Sequence, residues 1–311
     1  MPANLSKRAG EGCDSELKHR EQRLIGKTAL VTAFRFAFAA RRRRLNPEQT
    51  GLRPETVAVT SPSGALAGWF VPGIDGGGAV LLLHGATDSR LRMILRMRFL
   101  HARGHAVLAI DFQANGMSEG RYITLGDRES DDARAAAAWL RDRLPAERIA
   151  AIGISLGGAA ALVGAVPLDV DALAIESAFP DLFRTVRNRL RFFLGPLGER
   201  LTPLLIAIGA EATGADVNKL APVEAIGRFA GPVFVLSGTR DPWTPIEETR
   251  ELHARAKAPK RLWEVSGARH QDLYLYAPQE YRRRMGAFLD ESLACTVRTR
   301  RSEPSRQSRL L

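Results

Sequence analysis

Six short apolar runs, spaced along the middle of this 311-residue chain, constrain its fold more than any other feature. They are residues 79–83, 105–112, 148–153, 170–179, 231–239 and 259–267. Each is too short for a typical helix, and most are apolar on both sides, as strands buried on both faces of a parallel sheet are. Helical patterns separate them. Residues 89–103 have helical spacing with the arginines placed outside. Residues 128–143 carry acids early and arginines late, matching the helix macrodipole. Residues 246–257 and 278–294 supply two more helices. Ahead of the series, "ETVAVTS" and "ALAGWFVPG" read as an antiparallel pair joined through "PSG". The alternation predicts an α/β fold with a mostly parallel, eight-stranded sheet covered by helices on both faces. One interval breaks the rhythm. Residues 180–217 hold no strand and read as two helices separated by Gly195-Pro196, a helical lid insertion after a strand end.

The net charge of +11 suggests nucleic acid until it is located. Residues 1–50 carry +6 and residues 296–311 carry +4, which leaves the middle near neutral. The reading is therefore a basic N-terminal extension (1–50), a globular domain (51–295) and a basic C-terminal tail (296–311), with no specific nucleic-acid site. Cys13 and Cys295 form neither a metal-ligand spacing nor a disulfide framework, so a reducing cytoplasm is expected. Residues 25–40 are apolar, are interrupted by Arg35 and run into Arg41-Arg42-Arg43-Arg44. Two readings stay open: peripheral contact with the inner membrane surface through residues 25–44, or a helix packed on the domain itself.

Ligands of open α/β sheets sit beyond the carboxyl ends of the strands. There this chain places His84, Asp111, Ser155, Glu176, Asp241 and His270 in turn. Ser155 lies in Gly153-Ile154-Ser155-Leu156-Gly157, between an apolar strand and a run of small residues. Such a turn can hold a hydroxyl up into a site, or be no more than a glycine-rich connection. The order Ser155, Asp241, His270 favours the first. A serine needs a base to become nucleophilic, and a histidine needs an acid to fix its tautomer. His19, His101, His105 and His253 fit the base less well, because they lie in the tail, around a helix end or within a helix. Glu176 remains a rival to Asp241. Asp111 fits an ordering role in its own loop with Gly116 and Ser118, and His84 a support for the loop that follows it.

In "LLLHGATDSR", "DFQANGMSEG", "GISLGG", "GTRDPWTP" and "GARHQDLY", taken in that order, the chain resembles the α/β-hydrolase superfamily over roughly residues 52–294. The likeness is to bacterial serine hydrolases related to the acyl-transferase/thioesterase and serine-peptidase-like branches. It implies a nucleophile at Ser155, an acid at Asp241, a base at His270, and an oxyanion hole from the backbone N–H groups of Leu156 and Ala86. The chain departs from HGGG-type lipases and esterases in having Ala86-Thr87 after His84-Gly85.

The resulting expectation is a cofactor-independent serine hydrolase cleaving an ester, thioester or amide through an acyl-enzyme. No phosphate-binding loop, dinucleotide fingerprint or metal-like cluster is present in the sequence. Leu190, Phe192, Phe193 and Leu205 are expected to wall an acyl pocket. The alternatives are a catalytically silent fold used for binding, or a protein held to membrane or nucleic acid by its basic ends. The spacing fixes neither the substrate nor the oligomeric state.

Overall fold

The computed structural model describes residues 28–294 apart from 29 and 36. Cys13, Cys295 and the basic C-terminal tail lie outside the described residues. Eight strands form one sheet: β1 (Glu55–Ser61), β2 (Gly64–Val71), β3 (Ala79–Leu83), β4 (Ala106–Ile110), β5 (Ile149–Ile154), β6 (Ala172–Glu176), β7 (Val233–Gly238) and β8 (Lys260–Val265). Their spatial order is β8-β7-β6-β5-β3-β4-β2-β1. The β1–β2 hairpin is antiparallel and β2 runs antiparallel to β4, while every pairing from β4 across to β8 is parallel.

The helices are α1 (Ile94–His101), α2 (Asp127–Arg143), α3 (Leu156–Leu162), α4 (Leu182–Leu194), α5 (Pro196–Thr213), α6 (Ile246–Arg255) and α7 (Pro278–Leu293). Strand alternation sends Leu81, Leu83, Leu108 and Ile110 to one face, where α2, α3 and α6 cover them. Val80, Leu82, Val107 and Ala109 go to the other, under α1 and α7. All five residues of β3 and of β4 are buried, because both faces are covered.

One expectation needs correction. Arg90 and Arg96, placed outside by helical spacing, are fully buried. Arg90 is held by the carboxylate of Asp111, which also accepts the N–H of Met117 at 2.8 Å. The described part of the N-terminal extension packs on the domain, one of the two readings open from the sequence. Arg41–Arg42 pairs in parallel with Asn115–Gly116. Residues 30–35 are helical, and Val31 is buried against Ile208 and Ala212 of α5. In the 180–217 interval, α4 and α5 are joined at Gly195 and pack on each other. Among the described residues no helix is long and apolar enough to cross a membrane.

Candidate active site

β5 runs into α3 through a single residue, Ser155, at φ 50° and ψ −110°. A non-glycine residue rarely adopts such angles, at a cost on the order of 1–3 kcal/mol. The turn is held from both sides: Ser155 N–H donates to the Glu176 carbonyl at 2.7 Å, and its own carbonyl accepts from Ala159 N–H at 3.0 Å. The flanking glycines are needed for close approach. A Cβ on Gly153 would lie 2.5 Å from the Gly157 backbone, and one on Gly157 would collide with the Leu83 carbonyl. The local sequence thus packs the start of α3 directly against β3 and β5.

His270 follows β8, and Asp241 follows β7. Nδ1 of His270 lies 2.7 Å from Oδ2 of Asp241. The other oxygen of Asp241 accepts the N–H groups of Trp243 (2.9 Å) and Thr244 (3.0 Å). One oxygen therefore fixes the loop and the other fixes the imidazole. Given an ionised Asp241, this geometry puts the Nδ1 proton toward the carboxylate and leaves Nε2 as the acceptor. The indole of Trp243 packs on the imidazole at 4.9 Å between ring centroids.

Ser155 and His270 line the same cavity, of about 580 Å³, and so do Leu156 and Ala86. Leu156 is the first residue of α3, so its N–H has no acceptor within the helix. The loop carrying Ala86 is braced by His84, which is fully buried. His84 Nδ1 donates to the Gly85 carbonyl at 2.7 Å, and Nε2 accepts the Phe112 N–H at 3.0 Å. Both ring nitrogens are thereby used in the neutral form, and burial holds the pKa below the ordinary histidine value.

Glu176 lies at the end of the neighbouring strand but is committed elsewhere. Its two oxygens accept from Arg96 Nε (3.1 Å) and Nη2 (2.7 Å), and Tyr281 Oη donates to it. Arg96 also donates to Asp272 at 3.0 and 3.2 Å. Burial alone would lower the pKa of Arg96, yet the charges of Glu176 and Asp272 raise it well above the ordinary value. Nothing in the sequence pattern marks this cluster, since its members come from three distant segments, around residues 96, 176 and 272–281.

Of the expected pocket residues, Leu190 and Leu205 line the cavity. Phe192 and Phe193 do not: they are 53% and 69% exposed and pack edge-to-face on each other at 5.1 Å. The last turn of α4 runs past the cavity rim, so the apolar pair faces outward. Phe34 and Phe38, from the N-terminal extension, take part in the wall instead. Their i, i+4 spacing was the available signal.

The sequence pattern of the Alpha/beta hydrolase family matches residues 80–284. An uncharacterized protein of Mycobacterium tuberculosis, Rv2307c, is 31% identical over 223 residues, covering 70% of this chain and 72% of that protein. The uncharacterized protein YqkD of Bacillus subtilis is 24% identical over 229 residues, covering 72% of this chain and 75% of its own length. Among solved structures, the esterase Pf2001 of Pyrococcus furiosus superposes with a TM-score of 0.65 at 27% identity, over 82% of this chain and 98% of that one.

Proposed function

Because this chain belongs to the alpha/beta hydrolase family, we propose that it is a serine hydrolase that cleaves esters or thioesters of apolar acids. The observation that carries this is the shared cavity: it is lined by a serine strained at a strand-to-helix pivot and by a histidine whose Nδ1 is 2.7 Å from a buried aspartate. In the reaction, Ser155 Oγ attacks the acyl carbon while His270 Nε2 takes its proton. The carbonyl oxygen becomes negative, and the N–H groups of Leu156 and Ala86 stabilise it. Collapse breaks the bond to the leaving group, which receives the proton from His270. Water, activated by the same histidine, then attacks the acyl-serine and releases the acid. Asp241 holds the imidazole and stabilises its cationic form.

The wall supports an apolar acyl group. Leu182, Val186, Leu190 and Leu205 of the α4–α5 insertion line the cavity, with Phe34 and Phe38, so the insertion acts as a lid. Burying one methylene contributes up to about 0.8 kcal/mol, roughly a fourfold gain in kcat/KM per carbon until the cavity is filled. The test is fluorophosphonate labelling together with hydrolysis of p-nitrophenyl esters from acetyl to octanoyl. Ser155→Ala should abolish labelling and turnover, and Asp241→Asn should lower kcat by on the order of 10⁴-fold. Labelling that persists in Ser155→Ala would remove the nucleophile assignment. A preference for acetyl esters would remove the apolar pocket.

A further inference from the structure

Four arginines lie within α4, and the structure treats them differently. Arg184 is paired with Glu251 and, at 2.8 Å, with Asp181. Arg191 is paired with Glu199 at 3.1 Å. Arg187 is outside the cavity wall. Arg189 lines the cavity that holds Ser155 and His270, and among the described residues no carboxylate lies within 4.0 Å of it. Arg92, the other cation of the wall, is already bridged to Asp272 at 3.2 Å and Asp88 at 3.8 Å.

Arg189 is held rather than neutralised. Its Nη1 donates to the Thr185 carbonyl at 3.1 Å and to Thr185 Oγ1, and its guanidinium carbon lies 5.0 Å from the Trp243 ring centroid. These contacts fix a planar fork in one orientation. Burial lowers its pKa from the ordinary arginine value, with the charge of Asp241 opposing. A guanidinium nonetheless stays charged near neutral pH. Beside the bridged Arg92–Asp88 pair, the mostly apolar wall therefore carries one oriented cation with no carboxylate in contact, an arrangement that a bound oxyanion completes.

Its position says which part of a substrate would meet it. Trp243 contacts both Arg189 and His270, at 5.0 and 4.9 Å. The guanidinium and the imidazole that would protonate the departing group thus pack on one indole. We propose that Arg189 is a specificity residue that selects esters whose leaving group carries an oxyanion, carboxylate or phosphate, opposite an apolar acyl chain. This rests on the serine-hydrolase reading for its chemistry but not for its binding site.

The experiment uses matched pairs differing by one charge. The ethers 3-hexyloxy-4-nitrobenzoate and 3-hexyloxy-4-nitroacetophenone, neither of which holds an ester, are titrated into the full chain by tryptophan fluorescence at low and high salt. The cleavable 3-hexanoyloxy analogues give kcat/KM. The wild type should bind the carboxylate ether about tenfold or more tightly than the neutral methyl-ketone ether at low salt, with the margin shrinking in salt. Arg189→Gln and Arg189→Met should erase the margin, and Arg189→Lys should keep part of it. The ratio of kcat/KM for the charged to the neutral ester should fall about tenfold in Arg189→Gln. A residue that only supports Trp243 would lower both esters alike, and that result overturns the proposal. So does equal binding of the two ethers by the wild type, which needs no variant to fold. Charge-dependent ether binding in a protein that cleaves neither ester would uphold the anion site and sink the acyl-enzyme reading instead.

Discussion

Replacing Arg96 by methionine should be among the most damaging single changes outside the cavity. The side chain is fully buried and meets Glu176 at 2.7 Å, Asp272 at 3.0 Å and Tyr281 at 3.0 Å. Methionine fills much of the volume but leaves Glu176, 1% exposed, without a cation, and leaves Asp272, 4% exposed, with only the outer Arg92 at 3.2 Å. Breaking a buried ion pair from one side costs about 3–5 kcal/mol. In a domain of this size each kcal/mol lowers Tm by about 2–4 °C, so a fall of roughly 6–20 °C is expected. Thermal and urea unfolding followed by circular dichroism measure it. The pH dependence gives a second check. Arg96 helps depress the Asp272 pKa despite burial, so this part of the stability is present above the unfolded carboxylate pKa of about 3.9 and is lost as pH falls through the lower folded value. The gap between wild type and Arg96→Met should therefore narrow in acid. Activity should drop as well, because the Glu176 carbonyl holds Ser155 N–H and Asp272 stands two residues beyond His270. A loss under about 1 kcal/mol at pH 7, or a gap unchanged down to pH 3, would refute the reasoning.

Two further changes test other parts of the frame. Asp132 is buried, accepts from Ser61 Oγ and from Gln113 N–H at 2.8 Å, and has its pKa pushed up to about 6 by burial. A raised carboxylate pKa means that the native state binds the extra proton, so stability falls as pH rises from about 4 to 6, by on the order of 3 kcal/mol. Asp132→Asn should remove that slope in urea unfolding measured across this range. Buried neutral His84 works in the opposite direction, and the difference between variant and wild type cancels its share. Gly157→Ala should destabilise the fold by at least about 2 kcal/mol, because its Cβ meets the Leu83 carbonyl and lies 2.8 Å from that of His84. Near-wild-type unfolding of that variant would mean that α3 can shift away from β3.

Legibility in the sequence followed locality. The strands could be read because β3 to β7 are apolar apart from Glu176 at the end of β6 and Ser237 in β7, and helices cover both faces of the sheet. Ser155 could be read because Gly153 and Gly157, which its turn requires, are two residues away on either side. His270 and Asp241 followed from chain order at strand ends. Arg96 could not be read, since its meaning comes from Glu176, Tyr281 and Asp272, 80 to 185 residues away. The helical pattern alone sent it outward. Phe192 and Phe193 failed for a related reason: composition shows that α4 is apolar, but where the helix leaves the cavity rim decides which turn is inside. Arg189 sat in view among four arginines, and only the partners of Arg184 and Arg191 and the place of Arg187 outside the cavity wall set it apart.

The aromatic pair Phe34 and Phe38 lies upstream of residue 51, where composition places the start of the globular domain, yet both rings stand in the wall beside Ser155. The folding unit and the working unit consequently have different starting points. A fragment trimmed to residue 51 would keep the eight-stranded sheet and the three side chains proposed to react, Ser155, Asp241 and His270. It would nevertheless be a different enzyme, with one side of its binding chamber opened to water. For any truncation, swap or graft of this fold, the stretch ahead of β1 belongs to the catalytic module as a removable wall panel.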